Sequence, residues 1–166
     1  MQEQIISAID HISTFIDAEI EKVSGRVILA GFSQGSVMAI QTALRGKRNT
    51  KVKGIAVLSG WMHDVERLSV HLSHSPTEEG RGGGDAVVDE AANAIGTDRL
   101  RPAIFWGHGT VDELIPLSLG RDGVGWLQEV NRYAHVDFRE YGGMGHMTCE
   151  AEMRDWKAWL NHLLNS

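Results

Sequence analysis

A backbone reversal at Gly31-Phe32-Ser33-Gln34-Gly35 constrains this chain more than any other segment. Val27-Ile28-Leu29-Ala30 runs into it as an apolar strand pattern, and Ser36-Val37-Met38-Ala39-Ile40-Gln41-Thr42-Ala43-Leu44 leaves it as a helix pattern. A G-x-S-x-G pentapeptide between strand and helix has the signature of a nucleophile elbow. Such a turn is so sharp that its serine sits under backbone strain, and only glycine lacks the Cβ that would strike the neighbouring strand and helix. A strand handed directly to a helix commits the chain to layers of helix on sheet. It also leaves the serine hydroxyl at the top of that sheet, beside a helix N-terminus that favours negative charge.

The remaining pattern repeats this alternation. Residues 2–23 read as one amphipathic helix, with Ile5, Ile9, Ile12, Ile16 and Ile20 at helical spacing. Strands are expected at about 26–31, 52–58, 102–106 and 135–140. Helices are expected from the elbow to about 45, at about 117–132 and at about 150–164. The second strand, with Val52, Ile55, Ala56, Val57 and Leu58, is apolar nearly throughout, as a strand covered on both faces must be. Gly120, Gly123 and Gly125 weaken the 117–132 helix. Met153, Trp156, Leu160 and Leu163 form a core stripe on the last one. Residues 75–86, with Pro76, Gly80, Gly82, Gly83 and Gly84, read as a flexible loop, and 87–95 as a short helix. The expected fold is a single α/β domain over residues 1–166, with about four parallel strands and right-handed helical crossovers. About 63–99 forms a long polar, Gly-rich connection within it.

Two further loops supply partners for the serine. Ala103-Ile104-Phe105-Trp106 leads into Gly107-His108-Gly109-Thr110-Val111-Asp112, and Tyr141-Gly142-Gly143-Met144-Gly145-His146 follows the last strand. The order Ser33, Asp112, His146 is that of α/β-hydrolases, and all three fall beyond the carboxyl ends of strands, where open sheets place their sites. A serine hydroxyl needs a base to become a nucleophile, and imidazole titrates near neutrality. An aspartate would hold that imidazole in the required tautomer. Competing readings stand beside these. Asp112 also suits a plain turn, Glu113 is a weaker candidate for the acid, and His146 is one of eight histidines. His108 is the nearest rival to His146, although its place in His-Gly-Thr-x-Asp suits a loop-shaping role better. His71 and His74 have i, i+3 spacing but no matching ligand set, so no metal and no cofactor are expected.

Gly31-Phe32-Ser33-Gln34-Gly35-Ser36, Leu58-Ser59-Gly60-Trp61, His108-Gly109-Thr110-Val111-Asp112 with Ile115-Pro116, and Tyr141 through His146 with Cys149-Glu150 occur in that order. In these motifs the chain resembles the acyl-protein thioesterase branch of the α/β-hydrolases, the phospholipase/carboxylesterase family. The resemblance implies a serine hydrolase of acyl esters or thioesters, with S-acylated proteins, lysophospholipids and short model esters as substrates. It implies Ser33, Asp112 and His146 as the triad and the Gln34 backbone N–H as an oxyanion donor. Trp61, Met62, Leu114 and Met144 are candidate acyl-pocket residues, with core or rim packing as the equal alternative for each. Family members carry several earlier strands and a His-Gly-x-Gly-Asp-like loop that gives a second oxyanion donor. No such loop precedes Arg26. Loss of one donor costs ~10²–10³ in turnover. The alternative expectation is therefore a weak or inactive binding protein of the same fold, or a piece of a longer enzyme. A peptidase would need a substrate-restricting domain and ranks third.

Composition sets the outer bounds. Acids outnumber bases, 22 to 16, with no basic cluster, which argues against nucleic acid. No apolar run approaches the ~18 residues of a membrane helix. Gln2-Glu3-Gln4 does not open a secretory signal, and Cys149 is the only cysteine, so a cytoplasmic protein without internal disulfides is expected. Without earlier strands, Val27-Ile28-Leu29 would form an open apolar edge, from which homodimerisation is expected.

Overall fold

Strand and helix alternate through the computed structural model, which describes residues 27–45, 52–62, 102–129 and 136–165, with scattered residues between 7 and 22. The elements are β1 (Val27–Phe32), α1 (Gln34–Arg45), β2 (Val52–Leu58), β3 (Ala103–Gly109), α2 (Leu117–Glu129), β4 (Val136–Tyr141) and α3 (Glu150–Asn165). Apart from the 87–95 helix, each expected element from the elbow onward is present with its ends within about three residues. The described residues of the 2–23 segment are helical; Ile16 is half-buried, while Ile12 and Phe15 are exposed. Ile5, Ile9 and Ile20 lie outside the described residues. So do the 75–86 loop, the 87–95 helix, and His71 and His74.

All three strand pairs are parallel, in the spatial order β1-β2-β3-β4. Leu29 pairs with Ile55, Ile55 with Ile104, and Ile104 with Val136, so one register line crosses the sheet. Alternation along the strands then separates two cores. Ile55, Val57, Ile104 and Trp106 face α1 and α2, meeting Ala39, Ile40, Val124 and Leu127. Ala56, Leu58 and Phe105 face α3, meeting Met153, Trp156 and Trp159. Fully burying side chains such as Phe105 or Ile104 contributes roughly 1.5–3 kcal/mol each, which explains why both inner strands read as continuous apolar runs.

The glycines of α2 have a purpose the sequence does not disclose. Gly123 lies against the Trp106 ring, where a Cβ would come within 2.7 Å of Cη2. Gly120 receives the His108 ring in the same way. Both are buried, so the helix gives up propensity for close approach to the sheet. On the other face, Trp159 and Leu163 of α3 fill the space over Gly54. Polar bonds fasten the β4 edge. Arg139 forms a two-pronged pair with Asp137 and a further bond with Asp155, and the Tyr141 hydroxyl donates to Asp155 at 3.2 Å. Burial, with Asp155 alongside, pushes the Tyr141 hydroxyl well above its usual range and keeps it a donor. Among the described residues, no helix is long and apolar enough to cross a membrane.

Candidate active site

The turn after β1 is as sharp as its sequence implies. Ser33 has φ 53°, the left-handed region that a side chain rarely adopts. The Ser33 N–H donates to the Leu58 carbonyl at 2.9 Å, extending the β1–β2 ladder into the turn. The Ser33 carbonyl accepts from the Ser36 N–H at 3.0 Å and from the Ser36 hydroxyl at 2.6 Å, which starts α1. The two elbow glycines are not equivalent. A Cβ on Gly31 would lie 2.2 Å from the Gly35 carbonyl group, so Gly31 is sterically required. A Cβ on Gly35 would meet nothing within 4 Å among the described residues. The clash that glycine avoids in this turn is therefore at position 31. Strand and helix meet at Gly31, whereas position 35 points outward.

Two loops carry the partners, and short bonds hold them together. The Thr110 N–H donates to the Tyr141 carbonyl at 3.0 Å, and the Val111 N–H to the Met144 carbonyl at 3.1 Å. The Gly143 N–H returns a bond to Thr110 Oγ1 at 3.0 Å. Gly109 lacks the Cβ that would strike the Met144 carbonyl. These contacts place Asp112 opposite His146, 34 residues later. Cys149 starts α3 just beyond, its carbonyl accepting from the Met153 N–H at 3.0 Å and its thiol from the Glu152 N–H at 3.5 Å.

Ser33, His146 and Asp112 form one hydrogen-bonded line. His146 Nδ1 lies 2.8 Å from Asp112 Oδ2, and His146 Nε2 lies 2.9 Å from Ser33 Oγ. The second Asp112 oxygen accepts from the Leu114 and Ile115 N–H groups at 3.0 and 2.8 Å. Burial alone would raise the Asp112 carboxyl, but the Ile115 N–H, His146 and the Leu114 N–H together hold it below its ordinary value. An ionised carboxylate only accepts, so Nδ1 of His146 carries the proton and Nε2 is the acceptor facing the serine. Asp112 is buried, and His146 and Ser33 are half-buried. Gln34, at the start of α1, offers one of the backbone N–H groups that a helix leaves without internal acceptors. Together these groups can activate a hydroxyl, hold its proton and receive a developing oxyanion.

The other candidate residues separate clearly. Glu113 is exposed and makes no bond to His146. His108 is fully buried beside the acid loop, with Nε2 on the Ile115 carbonyl rather than on Ser33. Met62 is buried in the core with Trp106 and Val124, so its apolar side chain packs under the sheet. Met144 is also buried and contributes its carbonyl to the loop contacts. Trp61 is half-buried, and Leu114 is 72% exposed beside Asp112. Two features escape sequence reading. Phe32 stacks on His146, ring centroids 4.9 Å apart, although nothing in the pentapeptide says which ring its variable position will meet. Ser59 also has positive φ, 49°, where β2 breaks off; a serine before a glycine gives only a generic turn signal.

Comparison with known proteins bears on the family and the fold. The sequence profile of the phospholipase/carboxylesterase family matches residues 1–94 and 90–164. Acyl-protein thioesterase 1 of Cryptococcus neoformans is 27% identical over 176 residues, covering 98% of this chain and 63% of that protein. Acyl-protein thioesterase 1 of Saccharomyces cerevisiae is 26% identical, covering 97% and 61%. The chain thus spans somewhat over three fifths of the length of these curated relatives. Among solved structures, Arabidopsis thaliana SOBER1 superposes with a TM-score of 0.71 at 23% identity, covering 99% of this chain and 66% of that one. Zea mays acyl-protein thioesterase 2 gives 0.69 at 22% identity, covering 98% and 65%. Both likenesses establish the α/β-hydrolase fold.

Proposed function

The chain belongs to the phospholipase/carboxylesterase family, and on that premise we propose that it hydrolyses acyl esters or thioesters through an acyl-Ser33 intermediate. The observation that carries this reading is the Ser33–His146–Asp112 line, with its 2.9 and 2.8 Å bonds. As Ser33 Oγ attacks the acyl carbonyl, its proton passes to His146 Nε2. Asp112 stays ionised and stabilises the imidazolium. The negative charge on the former carbonyl oxygen faces the Gln34 N–H. His146 then protonates the departing thiol or alcohol, and water repeats the sequence to release the acid. Every step uses groups of the chain itself, so no cofactor is required.

The names of the relatives, acyl-protein thioesterases and a carboxylesterase, support the substrate class. S-acylated proteins come first and lysophospholipids second. Those names favour hydrolysis over the binding-protein alternative. Its single cysteine suits a reducing, cytoplasmic setting.

Labelling with a fluorophosphonate probe tests the reaction. Ser33 Oγ would bond to phosphorus, fluoride would leave, and the serine proton would pass to His146. Labelling of the wild type that disappears in Ser33→Ala and His146→Ala is the expected result. A folded wild-type protein that does not label would overturn the proposal.

A further inference from the structure

His108 is a fully buried histidine on β3 that the hydrolytic steps do not use. Its Nε2 lies 2.8 Å from the Ile115 carbonyl oxygen. A carbonyl only accepts, so Nε2 carries the proton. The opposite nitrogen, Nδ1, faces α2 at Gly120, where a Cβ would come within 2.7 Å. No described group bonds to it. Glycine is a poor residue inside a helix, and at position 120 its missing side chain is the room that the imidazole occupies.

The Ile115 backbone is gripped from both sides. Its carbonyl is held by His108, while its N–H donates to Asp112 Oδ1 at 2.8 Å. Asp112 then turns its other oxygen to His146. His108 Nε2 is 3.8 Å from that oxygen, too far for a hydrogen bond. Its influence on Asp112 therefore runs through the Ile115 backbone. The line of bonds reads His108, Ile115, Asp112, His146, Ser33.

We propose that His108 is a positioning residue for the hydrolysis described above, on which this inference rests: as its Nε2–H tautomer it clamps the Ile115 backbone and so aims the Asp112 carboxylate at His146. Gly120 is the cradle that lets it do so.

The test compares His108→Asn and His108→Gln, each alone and combined with Asp112→Asn. A glutamine can place an amide N–H near the Nε2 position, whereas an asparagine reaches only as far as Nδ1. The first readout is the rate of fluorophosphonate labelling per folded protein. The second is the proton resonance of the His146–Asp112 hydrogen bond, which reports geometry without turnover. His108→Asn is expected to slow labelling about 10²-fold, the scale of a small misplacement near the reacting groups. It should also shift or broaden the resonance, and His108→Gln should restore both in large part. In the Asp112→Asn background the same change should cost no more than about 2-fold, because residues that act through one another are not additive. Equal slowing in both backgrounds, or an unchanged resonance in His108→Asn, would reduce His108 to a packing residue. If His108→Asn does not fold, Gly120→Ala applies a milder push to the same ring, with the same coupling expected. A wild type that shows the resonance but does not label would sink the hydrolase reading, while the resonance still decides the role of His108.

Discussion

Replacing Glu152 with glutamine is expected to stabilise the fold at alkaline pH and to change it little near pH 5. The carboxyl lies fully buried in the first turn of α3. Its Oε1 occupies the space a Cβ would take on Gly107, beneath β3. Neither oxygen has a hydrogen-bond partner among the described residues. Burial, only partly offset by the nearby Cys149 backbone, pushes this carboxyl from 4.5 up to about 7. The folded protein therefore holds the proton more tightly than the unfolded chain does. The resulting stability is complete below about pH 4.5 and is lost as the pH climbs to about 7. At ~1.4 kcal/mol per pH unit, that interval corresponds to roughly 3 kcal/mol. For a chain of this size it amounts to roughly 6–12 °C in melting temperature. Glutamine keeps the shape and cannot ionise. Urea unfolding of both proteins at pH 5, 6, 7 and 8 measures the difference directly. The advantage of Glu152→Gln should start under about 1 kcal/mol at pH 5 and approach 3 kcal/mol by pH 8. Curves that stay parallel across this range, or a glutamine variant that is weaker at pH 8, would refute the account of an unpaired buried carboxyl.

Three other outcomes follow from the same contacts. Gly31→Ala should cost ~1–3 kcal/mol or more and abolish probe labelling, since its Cβ meets backbone that cannot swing aside; unchanged labelling would mean that the elbow has slack. Arg121→Ala removes a two-pronged but exposed pair with Glu140 and should leave the melting temperature and labelling unaltered; a clear loss in either would give that pair a structural weight its exposure does not predict. Among the described residues β1 is an outer strand of the sheet, and we propose that two copies associate through it. Sedimentation should then show a concentration-dependent dimer that Ala30→Lys disrupts, and a strict monomer at all concentrations would exclude this.

Local signals were legible because they arise from sterics and periodicity over a few residues. The apolar run at Val27–Phe32, the glycine at position 31 and the helical spacing after it specify a strand, a strained serine and a helix with no knowledge of the rest of the chain. The near-continuous apolarity of Val52–Leu58 likewise announces a strand covered on both faces. The order Ser33, Asp112, His146 at strand ends named the residues that now share hydrogen bonds. Other properties exist only between segments distant in the chain. Gly120 and Gly123 look like defects in a helix until His108 and Trp106 of β3 lie against them. Glu152 reads as an ordinary acidic residue in a first helical turn, beside the Met153 and Trp156 stripe, and the approach of α3 to Gly107 is what buries it. The 2.8 Å contact between His146 and Asp112 depends on Thr110 and Val111 bonding to the loop around Tyr141 and Met144. Sequence determined which elements form and which side chains stand at the strand ends, because those choices are made by neighbouring residues. Tertiary structure alone decided which groups lose water and which face one another, because desolvation and hydrogen bonding depend on distances that the order of residues does not contain.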